Sequence, residues 1–249
     1  MQAEIAGKPS EQDQRILIVT LDRPNQRNAM SVELVERLLA LLDEIEGDEH
    51  IHAVVLTGAG RGFCAGSDLA GLASMEASGR RAFEASSGRL SQRIGSHPLP
   101  ILAAVHGFAI GGGLTLAAAC DIVATTGGAK WSLPEVPIGL FPAWGLDVVS
   151  NRVGRPVARR LAWGIDTLDG KAARKIGLAD VVEDDPLRTA VTLARRLADL
   201  PRSQRAAVKQ YFAHPRQGED ADRHANELFM AACGTPEARA SFARFAGRS

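Results

Sequence analysis

The sequence predicts an α/β fold built on a mainly parallel sheet, and three observations lead to this prediction. Residues 53–58, 100–107 and 121–126 are continuous apolar runs of strand length, which is typical of strands covered on both faces. Stretches with helical periodicity alternate with these runs, as in proteins whose parallel strands are joined by helices. The chain has 249 residues, 45% of them hydrophobic, which is enough for a large buried core.

Local signals mark the elements in the first part of the chain. Residues 15–21 form a short β-rich run and are predicted to be a strand. Ser31 is a suitable N-cap for a helix over 32–48, where aliphatic side chains such as Leu34 and Leu38 share one face. The strand at 53–58 follows this helix.

The chain changes character after Pro186, where helical patterns replace the alternation of strands and helices. Four stretches are predicted to be amphipathic helices: 186–200, 203–213, 220–233 and 236–247. Such short helices bury little apolar surface alone. We therefore expect them to pack on the core or on another subunit.

Composition excludes several classes of function. Lys and Arg together number 29, as do Asp and Glu, so the chain lacks the basic excess that a nucleic-acid binder needs. The three cysteines are widely spaced and form no CxxC motif, which favours a reduced, cytoplasmic compartment. Neither a signal peptide, a membrane-spanning run nor a metal-binding histidine motif is recognisable.

Two glycine-bearing loops are the candidate functional feature. "GRGFCAGSDLAGL" (60–72) follows the strand at 53–58, and "GFAIGGGLT" (107–115) follows the run at 100–107. A helix is predicted after each loop, and in the second loop it directly follows the glycine triplet 111–113. The N–H groups at a helix start point outwards, so two such loops side by side would form an oxyanion hole. Glycine-rich loops also merely turn a chain, so both interpretations stay open here. The dinucleotide and phosphate-loop fingerprints are absent.

The motifs also resemble a known family. "LDRPNQRNAM", "GRGFCAGSDL", "VHGFAIGGGLTLAAACDIVATT", "WSLPEVPIGLFP" and "GKAARKIGLADVV" occur in the order and spacing of the crotonase superfamily, the enoyl-CoA hydratase/isomerase family. The resemblance extends from about residue 14 to the end of the chain. It implies a crotonase-like spiral of ββα units with a C-terminal helical region. It also implies a trimer or a dimer of trimers that stabilises the enolate of an acyl-CoA thioester.

The resemblance implies roles for particular residues. The oxyanion donors would be the backbone N–H groups of Ser67 and Gly112. Arg27 would lie near the CoA nucleotide, although a solvated arginine is an equally good interpretation, and Asp68 is expected to cap the following helix. The residues expected around the substrate are Arg27, Ala29, Ala65, Gly66, Asp68, Leu69, Gly111, Thr115 and Trp144.

Glu135 is the expected catalytic acid or base. It lies among apolar residues in "WSLPEVPIGLF", and burial among such residues raises the pKa of a carboxyl group towards neutrality. In the family this position carries the catalytic glutamate. Asp147 is a weaker spare candidate.

The chain departs from the family's hydratases at Thr115, where they carry a second glutamate that helps to activate water. A threonine hydroxyl forms hydrogen bonds but does not shuttle protons near pH 7. Isomerisation of an enoyl-CoA double bond by one glutamate is therefore the favoured function. Hydration and non-catalytic acyl-CoA binding are the alternatives. Trp144 either shapes the acyl pocket or belongs to the core.

These inferences divide the chain into an acyl-CoA-binding core over 1–194 and a helical trimerisation region over 195–249. The expected ligand is an acyl-CoA thioester, with no nucleic acid, membrane or metal. No separate cofactor is expected, because coenzyme A is part of the substrate.

Overall fold

The computed structural model describes residues 4–213 and, beyond them, residues 226–227, 229–231, 233, 235–236 and 238. Two sheets lie in this part of the chain. Their strands are β1 (Ile5–Pro9), β2 (Ile16–Leu21), β3 (Ala53–Gly58), β4 (Ile101–Val105), β5 (Phe108–Ile110), β6 (Ile122–Thr125), β7 (Lys130–Ser132) and β8 (Val181–Val182). The larger sheet has the order β1-β2-β3-β4-β6-β8, and β5 pairs with β7. Only β1 and β2 pair antiparallel among these strands, which confirms a mainly parallel sheet.

Helices flank the larger sheet and connect its strands. They are α1 (Val32–Glu46), α2 (Leu69–Ser74), α3 (Ala77–Ser96), α4 (Gly112–Ala119), α5 (Leu146–Val153), α6 (Arg155–Ala162), α7 (Gly170–Lys175), α8 (Pro186–Ala198) and α9 (Arg202–Ala213). Short 3₁₀ turns occur at Pro24–Gln26 and Val136–Ile138. Ser31 caps α1 as predicted, because its side chain accepts a hydrogen bond from Leu34 N–H.

The central strands are buried on both faces because alternate residues enter two different clusters. Val54 and Leu56 of β3 pack in the cluster that also holds the apolar faces of α1 and α3. Val55 of the same strand packs in the second cluster, which α8 covers. A continuous apolar run is therefore the pattern that β3 requires.

The structure confirms the predicted strands to within two residues at each end. The predicted helices at 32–48, 186–200 and 203–213 correspond to α1, α8 and α9. The helix expected after the glycine triplet starts at Gly112, inside that triplet. The helix expected after Asp68 corresponds to α2, whereas no element was predicted for the residues of α3.

The C-terminal part is described only in part. The boundary predicted at residue 194 lies inside α8, which packs on β3, β4 and β6. Helix α9 lies against α3. The helices predicted over 220–233 and 236–247 fall largely outside the described residues, so the trimerisation region stays a prediction.

Candidate active site

A cavity of about 600 Å³ lies where the two glycine-bearing loops meet. Its walls come from the first glycine-bearing loop and α2, from the start of α4, from part of the segment 134–144, and from Arg80 and Glu84 of α3. This volume is typical of small-molecule sites in proteins. Most of the expected site residues therefore share one cavity.

The two loops are fastened to each other by the backbone. Ile110 N–H donates to Cys64 C=O over 3.0 Å, and Cys64 and Ala109 form an isolated parallel bridge. Gly66 has a φ of +95°, and a Cβ atom built on it would lie 2.9 Å from Ile110 O. Glycine is thus required here for both backbone conformation and space.

The first two glycines of the triplet serve different purposes. Gly111 has a φ of +54° and precedes α4, and a Cβ atom built on it would lie 2.6 Å from Oε1 of Glu135. A Cβ atom built on Gly112 would lie 3.0 Å from Cζ2 of Trp144. Gly111 therefore leaves room for the glutamate carboxyl, whereas Gly112 leaves room for the ring of Trp144.

Two N–H groups at the meeting point of the loops are available to a ligand. Within the described residues, neither Ser67 N–H nor Gly112 N–H donates a hydrogen bond. A Cβ atom built on Gly66, the neighbour of Ser67, would lie 3.2 Å from Gly112 N, so the two groups are close together. Gly112 is also the first residue of α4, where the helix dipole favours negative charge.

Glu135 places a carboxyl group in the same cavity. It lies immediately before the 3₁₀ turn at Val136–Ile138, and its Oε2 is buried without a hydrogen-bond partner in the part of the chain that the structure describes. Burial raises the pKa of Glu135, and the negative charge of Glu84 raises it further. A carboxyl group in this environment is suited to take up and release protons near neutral pH.

Thr115 lines the cavity, but its hydroxyl has another partner. The Oγ1 atom donates to Gly112 C=O over 2.9 Å within α4, and the side chain is 2% exposed. The backbone of Gly145 crowds Thr115, since a Cβ atom on that glycine would lie 2.8 Å from Thr115 Cβ. This position therefore provides neither a carboxylate nor an unpaired hydroxyl.

Asp68 caps α2 as the sequence predicts. Its carboxylate accepts a hydrogen bond of 3.2 Å from Gly71 N–H and one of 3.1 Å from the Arg23 guanidinium. Partial burial opposes its ionisation, but the hydrogen bonds from backbone N–H groups and from Arg23, together with the positive charge of Arg23, lower its pKa on balance. Asp68 is therefore an ionised structural group at the rim of the site.

The remaining predicted residues fall into two groups. Ala65, Gly66, Leu69 and Trp144 line the cavity. Trp144 is also buried, at 8% exposure, so it belongs both to the pocket wall and to the core. Arg27 and Ala29 do not line the cavity. Arg27 is exposed, and its C=O accepts a hydrogen bond from Ala65 N–H over 3.1 Å.

Three titratable residues near the glycine loops or on α5 do not line the cavity. Cys64 is fully buried, and burial raises the pKa of its thiol to about 12, so it is an inert packing residue. The ring of His106 contacts Gly60 C=O at 3.1 Å, which fits a structural role. Asp147 is exposed on α5 and does not line the cavity.

Two charged residues of α3 line the cavity and were missed by the sequence analysis. They are Arg80 and Glu84, which lie one helical turn apart. No motif marks either residue. The one available signal was the apolar spacing of Phe83, Leu90 and Ile94, which defines the buried face of α3.

The described residues include neither a cluster of metal-ligating side chains nor a candidate membrane-spanning helix. No group of three or more His, Cys, Asp or Glu side chains is clustered there to hold a metal ion. None of the helices described is long and apolar enough to cross a membrane. Two close N–H groups can bind a carbonyl oxygen, and a buried carboxyl group beside them can exchange a proton with a neighbouring carbon.

Comparisons with known proteins identify the family. The model of the enoyl-CoA hydratase/isomerase family matches residues 11–248. The chain therefore belongs to this family and is an enzyme of the crotonase superfamily.

Relatives and solved structures agree with this assignment. The probable enoyl-CoA hydratase echA14 of Mycobacterium tuberculosis is 36% identical over 200 residues, which cover 79% of this chain and 77% of the relative. The short-chain-enoyl-CoA hydratase of Clostridium acetobutylicum is 33% identical over 191 residues, covering 75% and 73%. The crystal structure of an enoyl-CoA hydratase from Mycobacterium smegmatis has a TM-score of 0.92 at 25% identity and covers 99% of this chain and 97% of that one. The crotonase fold is thus confirmed.

Proposed function

We propose that this enzyme isomerises the double bond of enoyl-CoA thioesters, with Glu135 as the base that removes a proton from C2. The observation that carries this proposal is the buried, unpaired Oε2 of Glu135 in the same cavity as the N–H groups of Ser67 and Gly112. A thioester oxygen bound to both N–H groups would accept the negative charge that develops when C2 loses its proton.

The electron flow for this reaction is balanced without a cofactor. Glu135 takes the C2 proton of a 3-enoyl-CoA, and the electron pair of that bond moves into a dienolate whose charge rests on the thioester oxygen. The dienolate then takes a proton at C4 and returns its electrons to form the C2–C3 double bond. A single carboxyl group that reaches both carbons from one face can make both transfers.

Thr115 favours isomerisation over hydration. Hydration requires a water molecule to be held and activated, and the Thr115 hydroxyl is already bonded to Gly112 C=O. Hydration remains the second candidate, because the relatives of this chain are named as hydratases.

The proposal is tested by measuring two reactions of the same preparation. We expect 3-hexenoyl-CoA to be converted to 2-hexenoyl-CoA much faster than crotonyl-CoA is hydrated. Hydration with a kcat/KM of roughly 10⁶ M⁻¹s⁻¹ or more, without isomerisation, would overturn the proposal. Asp147→Asn is a matched control, because Asp147 lies outside the cavity and its loss should change neither rate.

We further propose that the enzyme works as a homotrimer or a dimer of trimers in the cytoplasm. Apolar side chains exposed in the segment after Glu135 and after α6 support an assembly, since large exposed apolar patches mark interaction surfaces. They are Val136, Ile138, Leu140 and Phe141 after the catalytic glutamate, with Trp163 and Ile165 after α6. The three cysteines are unpaired thiols, which suits a reducing compartment.

A further inference from the structure

The N–H group of Ser67 owes its direction to a short segment of the loop that follows β2. Ser67 and Met30 form an isolated parallel bridge. Met30 N–H donates to Gly66 C=O over 2.7 Å, and Met30 C=O accepts from Asp68 N–H over 2.9 Å. Because both bonds are made by the neighbours of Ser67, the N–H group of Ser67 itself points away from Met30. The pairing with Met30 therefore sets the direction of this N–H group.

The guanidinium group of Arg23 bonds to both segments of this bridge. It donates to the C=O group of Ala29, which directly precedes Met30. Its Nη2 also donates to Asp68 Oδ2 over 3.1 Å, and Asp68 directly follows Ser67. A guanidinium group is planar and rigid and offers several donors at once. Arg23 therefore fixes the spacing between the two bridged segments.

A third contact holds the guanidinium group in place. Arg23 Nε lies 3.0 Å from Glu4 Oε1, and both side chains are 15% exposed. The other carboxylate oxygen of Glu4 accepts a hydrogen bond from the hydroxyl group of Ser31, the residue that caps α1. Hydrogen bonds between ionised groups are among the stronger ones in proteins, and partial burial shields them from screening by salt. Arg23 is thus fastened to the residue before β1 and, through it, to the start of α1.

Arg23 acts on a ligand in the cavity only through other residues, because it does not line the cavity, whereas Ser67 does. A hydrogen bond from Ser67 N–H to a thioester oxygen strengthens as that oxygen gains negative charge. A displaced N–H group therefore slows enolate formation more than it weakens binding of the neutral thioester. This difference separates a positioning role from a purely structural one.

We propose that Arg23 is a positioning residue, which holds the two bridged segments together so that Ser67 N–H meets the thioester oxygen. This inference rests on the proposed function, in which that oxygen binds to backbone N–H groups and gains negative charge. It gives a role in the reaction to the stretch "LDRPNQRNAM", which contains both Arg23 and Met30.

Arg23→Gln tests the assignment, because it removes the charged fork and keeps a polar side chain. Two measurements are made on each protein: kcat and KM for conversion of 3-hexenoyl-CoA to 2-hexenoyl-CoA, and the rate at which C2 protons of hexanoyl-CoA exchange with D₂O. We expect kcat and the exchange rate to fall together by about 10–100-fold, less than the loss of a whole oxyanion donor, with KM close to wild type. Arg23→Lys keeps the charge without the fork and should recover part of the lost rate.

Arg15→Gln is the matched control. Arg15 directly precedes β2, whereas Arg23 lies beyond the other end of that strand. Arg15 also bonds to two carboxylates and one backbone C=O group, which belong to Asp13, Asp199 and Ala198. It does not line the cavity. Arg15→Gln should therefore leave kcat, KM and exchange close to wild type, and urea unfolding checks that each variant is folded.

Three results would overturn the role of Arg23 and leave the proposed function intact. They are wild-type kcat and exchange in folded Arg23→Gln, a loss confined to KM, and equal losses of kcat in Arg23→Gln and Arg15→Gln. If Arg23→Gln does not fold, Arg23→Lys decides: a lower kcat at unchanged KM supports the role, and a wild-type kcat overturns it.

The exchange rate keeps the two proposals separable. A wild-type enzyme that exchanges C2 protons but forms no 2-enoyl product would overturn the isomerase function alone, and the exchange rates of the variants would still test Arg23. A wild-type enzyme that does neither would overturn both proposals.

Discussion

At the scale of single residues, the proposed chemistry depends first on Glu135. Its Oε2 is buried without a partner among the described residues, so this oxygen is not used to hold the fold together. We predict that Glu135→Gln lowers exchange of C2 protons by a factor on the order of 10²–10⁴, while an acyl-CoA still binds. Deuterium incorporation followed by mass spectrometry measures the exchange. A parental rate in the variant would place the base elsewhere.

The burial of Glu135 should also lower the free energy of unfolding once the pH is high enough for its carboxyl group to ionise. Its raised pKa means that ionisation is harder in the folded than in the unfolded chain. The resulting loss in free energy of unfolding is absent below pH 4.5, which is the ordinary pKa of the group. It grows as the pH rises from there to the raised pKa, and it is complete at higher pH. We predict that Glu135→Gln is more stable than wild type at pH 8, and that the difference shrinks towards pH 4. Urea unfolding at both pH values tests this, and a difference that grows on acidification would contradict it.

Gly112 is predicted to be intolerant of a side chain for reasons of space. A Cβ atom there would lie 3.0 Å from Trp144 Cζ2 and 3.5 Å from Met30 Sδ. Gly112→Val should therefore crowd the N–H group that would bind the thioester oxygen and reduce the rate by on the order of 10²–10³. Gly128→Val is the control, because a Cβ atom on Gly128 meets nothing within 4 Å. Near-normal turnover in a folded Gly112→Val protein would remove Gly112 from the site.

At the scale of elements, α9 is fastened to the core by a buried cation. Lys209 is 7% exposed, and its Nζ donates to Asp121 Oδ2 over 2.8 Å and to two backbone carbonyls of the Ile94–Leu99 region over 3.0 Å. Removing one partner of a buried ion pair costs about 3–5 kcal/mol. Asp121 keeps some contact with water, so we expect Lys209→Met to destabilise the fold by about 3 kcal/mol, at the lower end of that range.

Chemical unfolding measures this loss against a matched substitution. Lys8 lies exposed on β1, so Lys8→Met should change the free energy of unfolding by less than about 0.5 kcal/mol. Equal effects of the two substitutions would show that the buried contacts of Lys209 do not hold α9.

The same scale shows where prediction from the sequence succeeds and fails. β3 is a continuous apolar run and α1 has a clear cap and apolar face, so both were predicted. Helix α3 carries Ser, Gly and Ala at many positions, and Ser87 and Ser91 are among its buried residues. The apolar periodicity of its sequence is therefore weak. Packing against α1 and α4 holds the helix in place. The carboxyl group of Glu84 was missed for this reason.

Local sequence also cannot show where a side chain points once the chain has folded. Glu135 was predicted from its apolar neighbours and its motif, and the structure places it in the cavity. Thr115 was recognised from the sequence as a departure from the glutamate of the family's hydratases. Its hydrogen bond to Gly112 C=O could not be predicted, because it depends on α4 starting inside the glycine triplet. The position of the Trp144 ring, which would crowd a Cβ atom on Gly112, depends on a segment distant in sequence.

For the whole molecule, sheet topology explains why the site forms where it does. β3 and β4 are parallel neighbours, so the segments that follow them leave the sheet at the same edge. Residues 65–69 follow β3, and the glycine triplet follows β4 and β5. The two N–H groups therefore converge although more than forty residues of chain separate them.

A crystal structure with a bound acyl-CoA analogue tests the central claim most directly. The claim is that the two loops and Glu135 form one site for enolate formation. We predict that the thioester oxygen lies about 2.7–3.1 Å from both Ser67 N and Gly112 N, with C2 facing the Glu135 carboxyl group. A thioester oxygen bound away from both N–H groups, or a C2 atom facing a wall without Glu135, would contradict the account.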